Sequence, residues 1–286
     1  MERNAIHLDK IPLSELTTIG IGGLAEKVSY PMRAETLIEE IEECRQRGEK
    51  YVILGNGSNV LASDHGFQGT VFVVKHLCEI SLHGETLTVG AGVSVGKLIR
   101  FCLEHSLSGC EFLVGIPATM GGLVAMNAGA AGSVMSDIVQ CVTIINGKTP
   151  QEIPREDCAF GVKTSRFLKN RETILSVKLR LHRTDPQTVE HSVFSCKERR
   201  KHLPKGKSMG CVFQNTAGRS AGSLISCLGL CGFRIGDALI AYTHGNFILN
   251  VAHATERDVR SLIEVMRNTV LREFGIELNE EIRYLR

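Results

Sequence analysis

The sequence predicts an α+β protein with mixed sheets, arranged in three small units. An alternation of helix and short strands occupies residues 36–74, with a glycine loop directly after one strand. Alternating apolar residues at 141–145 and 173–181 predict further strands. The polar residues 182–187 then form the best domain boundary, because the composition beyond them changes to a basic helix, a glycine-rich loop and helix-like segments.

The N-terminal elements follow from hydrophobic periodicity. Residues 36–48 are predicted as a helix, since their apolar side chains recur at helical spacing and Gly48 is a typical stop. Residues 51–54 and 71–74 are rich in β-branched side chains and are predicted strands. The glycine loop at residues 55–59 therefore follows the carboxyl end of a strand, where α/β sheets usually bind ligands.

The central and C-terminal elements carry clear turn and cap signals. Residues 79–89 predict a hairpin, and Ser94 is the predicted cap of a helix that runs to about His105. Near the C-terminus, Thr255 and Asp258 have the spacing of a capping box at the start of an amphipathic helix. Residues 276–285 are the predicted last strand.

Composition excludes several function classes. A formal net charge of +2 and few aromatic residues argue against a nucleic-acid-binding protein. No segment approaches the ~18 apolar residues of a membrane span, and residues 1–6 do not have the pattern of a signal peptide. The ten cysteines include no CxxC pair and no zinc-ligand spacing, so we expect a reduced, cytoplasmic protein without a metal site.

Three uncharged glycine loops are the strongest functional signal. They occupy residues 18–23, 55–59 and 115–132, each with Asn, Ser or Thr among the glycines. Backbone amides in such turns can hold a phosphate group without a lysine. Tight turns or close packing are the alternative interpretation. There is no P-loop and no full GxGxxG, so a Rossmann site is not supported.

Several motifs, taken in order, resemble the UDP-N-acetylenolpyruvoylglucosamine reductase family, in its shorter structural type. The resemblance covers residues 18–285 and rests on these motifs: 55–61 (GNGSNVL), 115–122 (GIPATMGG), 126–129 (MNAG), 210–215 (GCVFQN), 221–225 (AGSLI), 232–236 (GFRIG) and 281–283 (EIR). It implies an FAD-binding module of two subdomains, of the PCMH/VAO-like kind, followed by an α+β substrate-binding domain. The expected boundaries are 1–75, 76–183 and 184–286.

The resemblance also implies an activity. The family is expected to use non-covalent FAD, reduced by NADPH, to convert UDP-N-acetylglucosamine enolpyruvate to UDP-N-acetylmuramate. This is an oxidoreductase step on a C=C bond in bacterial peptidoglycan synthesis, and thus in cell-wall biogenesis, cell shape and cell division. The expected partner is a UDP-sugar, with no nucleic acid, no membrane and a monomeric state.

The resemblance implies that two glycine regions bind the FAD diphosphate and ribityl chain. This agrees with the expectation that backbone amides of the glycine loops hold a phosphate group. The residues expected to bind the cofactor are Gly55, Asn56, Gly57, Ser58, Asn59, Gly115, Ile116, Pro117, Ala118, Thr119, Gly121, Gly122, Asn127 and Gly129.

Two catalytic residues are carried over directly. Cys211 occupies the family's proton-donor position, which is commonly serine. A thiol with a pKa near 8.5 is mostly protonated at pH 7 and is a credible general acid. The alternative is one more buried core cysteine. Glu281 matches the family's catalytic carboxylate, whereas Glu280 is expected to face the opposite side of the strand.

The third catalytic position departs from the family pattern. Val162 and Lys163 stand where the family usually has Tyr-Arg. Lys163 keeps the positive charge but loses the bidentate fork of arginine. Arg166 is the alternative cation, on the opposite face if the segment is extended. The residues expected to bind the substrate are Arg166, Gln214, Asn215, Arg219, His244 and Asn250.

Two other functions stay open at this stage. The same FAD-binding scaffold supports other oxidoreductases, for example on sugar lactones or 2-hydroxy acids. A flavin or nucleotide-sugar binder with a decayed catalytic centre would also explain the departures at Val162 and Lys163.

Overall fold

The computed structural model describes residues 4–216 and 218–286 of this α+β protein. The N-terminal expectation for residues 1–6 lies partly outside the described residues. The helices are α1 (Ala34–Arg47), α2 (Val95–Glu104), α3 (Met120–Ala125), α4 (Arg166–Lys169), α5 (Pro186–Arg199), α6 (Ala221–Cys227) and α7 (Glu256–Phe274). The strands are β1 (Ala5–Pro12), β2 (Leu24–Pro31), β3 (Tyr51–Leu54), β4 (Val60–Ala62), β5 (Phe67–Val73), β6 (Ile80–His83), β7 (Thr86–Gly90), β8 (Leu107–Ser108), β9 (Gly129–Ala130), β10 (Ser133–Val134), β11 (Val139–Asn146), β12 (Thr149–Pro154), β13 (Ile174–Arg180), β14 (His182–Arg183), β15 (Lys207–Cys211), β16 (Arg234–Ile235), β17 (Ala238–Ile240), β18 (Phe247–Asn250) and β19 (Arg283–Leu285).

The chain forms two compact units, each built from separate segments. The first unit comprises the described part of Met1–Leu8 together with Val28–Asn56 and Gly69–Lys201. The second unit comprises Asp9–Lys27, Gly57–Gln68 and His202–Arg286. The expected boundaries at 75/76 and 183/184 do not coincide with this division. Two features explain the difference: β4 pairs with the C-terminal strand β19, and α5 belongs to the first unit.

The helix-and-strand alternation near the N-terminus is confirmed. A four-stranded sheet has the order β1-β2-β5-β3, and β3 and β5 are parallel, with Tyr51 opposite Thr70. Helix α1 ends at Gly48, which is left-handed as a helix stop requires. Leu37 and Ile41 of α1 are fully buried in a cluster with Phe72, so the predicted apolar face is the one that packs.

The first unit also contains a five-stranded antiparallel sheet in the order β12-β11-β13-β7-β6. The predicted hairpin is β6–β7, and the strands predicted at 141–145 and 173–181 are β11 and β13. Ser94 caps α2 by accepting a hydrogen bond from the amide of Lys97 at 3.2 Å, as predicted. These local predictions are confirmed.

In the second unit, α7 packs on the antiparallel sheet β15-β18-β17-β16. Its capping box is present, with Thr255 and Asp258 exchanging side-chain-to-backbone bonds. The predicted last strand is too long, because regular pairing is limited to β19, which runs parallel to β4. Before β19, Glu280 forms an isolated bridge with Phe213. None of the described helices combines the length and apolarity that a membrane crossing needs.

Candidate active site

Two of the glycine loops meet inside the first unit. Asn56 donates its side-chain amide to the carbonyl of Pro117 at 2.7 Å. A Cβ on Gly55 would lie only 2.1 Å from Oγ1 of Thr119, so residue 55 must be glycine for the loops to approach this closely. The structure thus brings these two loops into contact at Gly55, Asn56, Pro117 and Thr119, and their common role as a cofactor site stays a prediction.

Thr119 provides an independent sign of a ligand. The residue is 3% exposed, and its Oγ1 is buried without a protein hydrogen-bond partner among the described residues. Leaving such a hydroxyl unsatisfied costs about 1–3 kcal/mol. A polar ligand atom at this loop would remove that cost, so the loop suits a ligand with hydrogen-bonding groups.

An apolar pocket lies beside the same loop and was missed by sequence reasoning. Its lining residues are Val95, Gly96, Ile99, Val114, Gly115, Ile116 and Pro117. The first turns of α2 thus contribute to the candidate site, which the position of Ser94 as a helix cap could have suggested. The pocket lining is mostly apolar.

Arg200 is a further residue that sequence reasoning missed. It belongs to the basic run at 197–202, which is typical of a solvated helix face. In the structure its Nε lies 3.1 Å from the position of a Cβ on Gly115. The first unit therefore places a guanidinium against one of the glycine loops.

The later part of the glycine region also makes packing contacts. The amide of Gly121 donates to the carbonyl of Ala91 at 2.8 Å. A Cβ on Gly129 in β9 would lie 2.4 Å from the carbonyl oxygen of Ser133 in β10. Gly121 and Gly129 thus allow close local packing, and the cofactor role expected for them stays a prediction.

Both ends of the buried Asn127 amide have protein partners. Its Nδ2 donates to the carbonyl of Gly161 at 3.0 Å, and its Oδ1 accepts from the amide of Ser136 at 2.9 Å. The side chain thus holds the segment that carries Lys163, and the cofactor role expected for Asn127 stays a prediction.

Lys163 lies in a tight turn and not in an extended segment. The amides of Gly161 and Thr164 donate to each other's carbonyl oxygens, at 3.0 and 3.4 Å, and close a two-residue turn. Val162 is 77% exposed at its tip, and Lys163 has a φ of +52°. The expectation that Lys163 and Arg166 lie on opposite faces applied only to an extended segment. Since the segment is a turn, that expectation does not hold.

Arg166 has a structural role instead of the expected substrate contact. Its Nε and Nη2 donate to the two carboxylate oxygens of Glu172, at 3.0 and 2.7 Å. Its Nη1 donates to the carbonyl of Asp157 at 3.4 Å. A guanidinium that is already bound to a carboxylate by a bidentate pair is poorly suited to recognise a second anion.

This ion pair predicts a pH-dependent contribution to stability. The hydrogen bonds from Arg166 lower the pKa of Glu172 from its usual value of 4.5. The stabilisation is therefore complete above that value and is lost as the pH falls through the lower folded-state pKa. Glu172→Gln should lose about 1 kcal/mol at pH 7. Denaturant titrations at several pH values should show the difference from wild type vanish in acid; a constant difference would contradict the assignment.

In the second unit, a β-bulge orients Cys211. The pairing of β15 with β18 shifts register between Ser208 and Cys211. Gly210 has a φ of +76°, a conformation that glycine adopts without strain. A bulge of this kind re-aims the next side chain, so the Gly-Cys order has a structural reason.

The same unit brings the backbones of three predicted site residues together. The amide of Glu281 donates to the carbonyl of Val212, the neighbour of Cys211, at 2.7 Å. The side-chain amide of Asn59 donates to the carbonyl of Glu281 at 3.0 Å. Cys211, Glu281 and Asn59 are thus on adjacent segments. The carboxylate of Glu280 is bound by Arg267 and Tyr284.

The loop at 18–23 contributes packing to the second unit. The amide of Gly20 donates to the carbonyl of Thr17, and the amide of Gly23 donates to the carbonyl of Ser63. Ile19 and Ile21 are buried in the core. For this loop the contacts favour the alternative interpretation, a packing turn.

The expected substrate residues divide into two groups, the first of which surrounds the start of α6. Gln214 donates its backbone amide to the carbonyl of Asn279 at 2.8 Å. The Oδ1 of Asn215 accepts from the amide of Ala221 at 3.1 Å. Arg219 is exposed and its backbone pairs with Thr216. Gln214 and Asn215 thus shape a loop that presents the Arg219 guanidinium to solvent.

The second group has roles that sequence could not predict. Burial lowers the pKa of the His244 imidazole, which favours the neutral ring near pH 7. Asn250 is buried; its Nδ2 donates to the carbonyls of Ile19 and Gly20, and its Oδ1 accepts from the amide of Ala254. The substrate role expected for Asn250 is therefore corrected to a structural one. Within residues 4–216 and 218–286, no group of three or more His, Cys, Asp or Glu is placed to hold a metal.

Comparison with known proteins gives matches along nearly the whole chain. Residues 25–149 match the model of an FAD binding domain, and residues 201–285 match the C-terminal domain of UDP-N-acetylenolpyruvoylglucosamine reductase. The reductase of Heliobacterium modesticaldum is 37% identical over 279 residues, which cover 96% of this chain and 89% of that protein. The Bacillus subtilis reductase is 34% identical over an alignment that covers 96% of this chain and 92% of that protein. The crystal structure of the reductase from Thermus caldophilus superposes with a TM-score of 0.84 at 33% identity, covering 99% of both chains.

Proposed function

The chain belongs to the UDP-N-acetylenolpyruvoylglucosamine reductase family, and we propose which of its residues carry out the reaction. The protein is an FAD-dependent oxidoreductase that uses NADPH to reduce the enolpyruvyl group of a UDP-sugar to the lactyl ether of UDP-N-acetylmuramate, a peptidoglycan precursor. The observation that carries the residue assignment is the adjacency of the Cys211 and Glu281 segments, joined by the bond from Glu281 to Val212.

The loops of the first unit fit FAD. The unpartnered hydroxyl of Thr119 and the apolar pocket beside Ile116 and Pro117 suit a ligand with both polar groups and a ring system. Arg200 beside Gly115 supplies a positive charge for a diphosphate. The bound flavin supplies hydride transfer from NADPH to the enolpyruvyl carbon, while the protein's residues orient the substrate and move the proton.

Cys211 is the proposed general acid. Its thiol donates a proton to the carbon next to the substrate carboxylate, and the bulge at Gly210 fixes where the thiol points. Glu281 is proposed to accept a hydrogen bond that orients the substrate at that carbon. Its place is set by backbone bonds to Val212 and Asn59.

Lys163 is the proposed cation for the enolate that forms at the substrate carboxylate. An ammonium group stabilises developing negative charge, although it lacks the geometric control of a guanidinium. The closed turn and the Asn127 bond to Gly161 give the lysine a fixed backbone position.

Two methionine variants distinguish the two cations. Lys163→Met should lower kcat about 10²-fold with little change in stability, since an electrostatic contact to the transition state is lost. Arg166→Met should lower Tm through loss of the Glu172 pair, while the folded enzyme keeps its kcat. Steady-state kinetics and thermal melts of both variants test this. A normal kcat in Lys163→Met would exclude the lysine.

Recognition of the UDP portion is proposed for the exposed Arg219 and the neutral ring of His244, which can hydrogen-bond without carrying charge. We further propose a monomer that acts in the cytoplasm. No disulfide joins any of the ten cysteines, all of which lie in the described part of the chain, and this is consistent with a reducing compartment.

One anaerobic experiment tests the proposed function. The purified protein should be yellow, should bleach on addition of NADPH, and should recolour on addition of the enolpyruvyl UDP-sugar. Recolouring only with other acceptors would indicate another oxidoreductase. Failure to bleach would indicate a binding protein.

A further inference from the structure

The second unit contains a charged cluster next to the segments that carry Cys211 and Glu281. We name it the Arg267 clamp, and it consists of Arg267, Glu280 and Tyr284. Arg267 of α7 forms an ion pair with one carboxylate oxygen of Glu280, and both side chains are partly buried. The hydroxyl of Tyr284 donates to the other carboxylate oxygen at 2.7 Å. Both oxygens of Glu280 are therefore held from different elements.

Arg267 also contacts the segment that follows Cys211. Its guanidinium carbon lies 6.0 Å from the ring centroid of Phe213, at the limit of a cation–π contact. Phe213 is almost completely buried and forms the isolated bridge with Glu280. Arg267 thus contacts Phe213, two positions after Cys211, and Glu280, immediately before Glu281.

The C-terminal segment depends on such contacts, because residues 276–279 form neither helix nor strand. Its backbone is tied to the Cys211 side by the bonds from Glu281 to Val212 and from Gln214 to Asn279. Burial and the bond to Glu280 raise the pKa of Tyr284, so its hydroxyl remains a donor at neutral pH.

We propose that Arg267 and Glu280 are positioning residues for the reductase reaction: their ion pair fixes the Glu281 segment against the Cys211 segment. This inference rests on the proposed roles of Cys211 and Glu281. Since a misplacement of about 1 Å at reacting groups can cost 10²-fold in rate, loosening the clamp should slow the step that uses both residues.

The test uses rapid anaerobic mixing on the FAD-loaded protein. Arg267→Met and Glu280→Gln should be reduced by NADPH at the wild-type rate, but their reoxidation by the enolpyruvyl UDP-sugar should be about 10- to 100-fold slower. Arg267→Lys should recover part of the loss, because it restores the charge. Arg272→Met is the matched control, since Arg272 is on the same helix and pairs only with its exposed neighbour Glu273 among the contacts of the described residues.

Several outcomes overturn the inference. Reoxidation in Arg267→Met and Glu280→Gln at the rate of Arg272→Met would exclude a positioning role. Equal slowing of both half-reactions would show a general structural effect instead. If Arg267→Met fails to fold, Tyr284→Phe removes one hydrogen bond from the clamp and should give a smaller, selective slowing; none would contradict the inference. Failure of the wild-type protein to be reoxidised by the substrate would contradict the proposed function instead.

Discussion

Replacing Cys211 by alanine is expected to leave the reduction of the flavin by NADPH intact and to slow its reoxidation by substrate about 10²- to 10⁴-fold. The physical reason is that only the second half-reaction requires a proton donor at the substrate carbon. Cys211 is the last residue of β15, and the bulge at Gly210 sets its direction. Stopped-flow absorbance of the flavin measures the two half-reactions separately.

A second cysteine gives the control for this experiment. Cys196 of α5 is partly buried in the first unit and is not assigned to the reaction. Cys196→Ala should reoxidise at the wild-type rate. Unchanged turnover in Cys211→Ala, with a normal Tm, would remove Cys211 from the mechanism and leave it as a core cysteine.

Replacing Gly55 by alanine is expected to weaken FAD binding about 10- to 100-fold. The added Cβ would lie 2.1 Å from Oγ1 of Thr119, so one of the two loops must move. Overpacking of this kind costs about 1–3 kcal/mol, which corresponds to that range of affinity. The ratio of bound FAD to protein after desalting, together with Tm of the FAD-free protein, measures the effect.

Two variants separate a site effect from a general loss of stability. Gly84 is in the β6–β7 turn and has a φ of +63°, so Gly84→Ala strains the backbone and should lower Tm, yet it should keep its FAD. Thr119→Val removes the unpartnered hydroxyl, and this should leave the FAD-free protein as stable as before while weakening FAD binding. Full FAD retention in Gly55→Ala would contradict the proposed role of these loops.

Local chemistry made much of the fold predictable. The capping box at Thr255 and Asp258, the stop at Gly48 and the hairpin at 79–89 all depend on residues a few positions apart. The shared lack of charge and the glycines in residues 55–59 and 115–132 also suggested that these loops serve one ligand. Such signals are present in the sequence itself.

The remaining features depend on distant parts of the chain. Asn250 has a side chain typical of a binding residue. Its side-chain amide, however, donates to the carbonyls of Ile19 and Gly20, more than two hundred positions away. Asn127 is likewise occupied by Gly161. The parallel pairing of β19 with β4, which assigns residues 57–68 to the second unit, leaves no mark in local periodicity.

Arg166 shows the same limit for charged residues. From sequence alone it was the alternative cation to Lys163, since each is a single positive charge near the same motif. The bidentate pair with Glu172 is what distinguishes them, and it depends on the turn of α4 that brings the two side chains together.

The central claim is that position 211 must carry a proton-donating side chain. The most direct measurement is the single-turnover rate of flavin reoxidation by the enolpyruvyl UDP-sugar in Cys211→Ser, compared with Cys211→Ala. Serine is close to cysteine in size and also carries a proton, so we expect Cys211→Ser to be faster than Cys211→Ala by at least about tenfold. Equal rates in the two variants would contradict the claim.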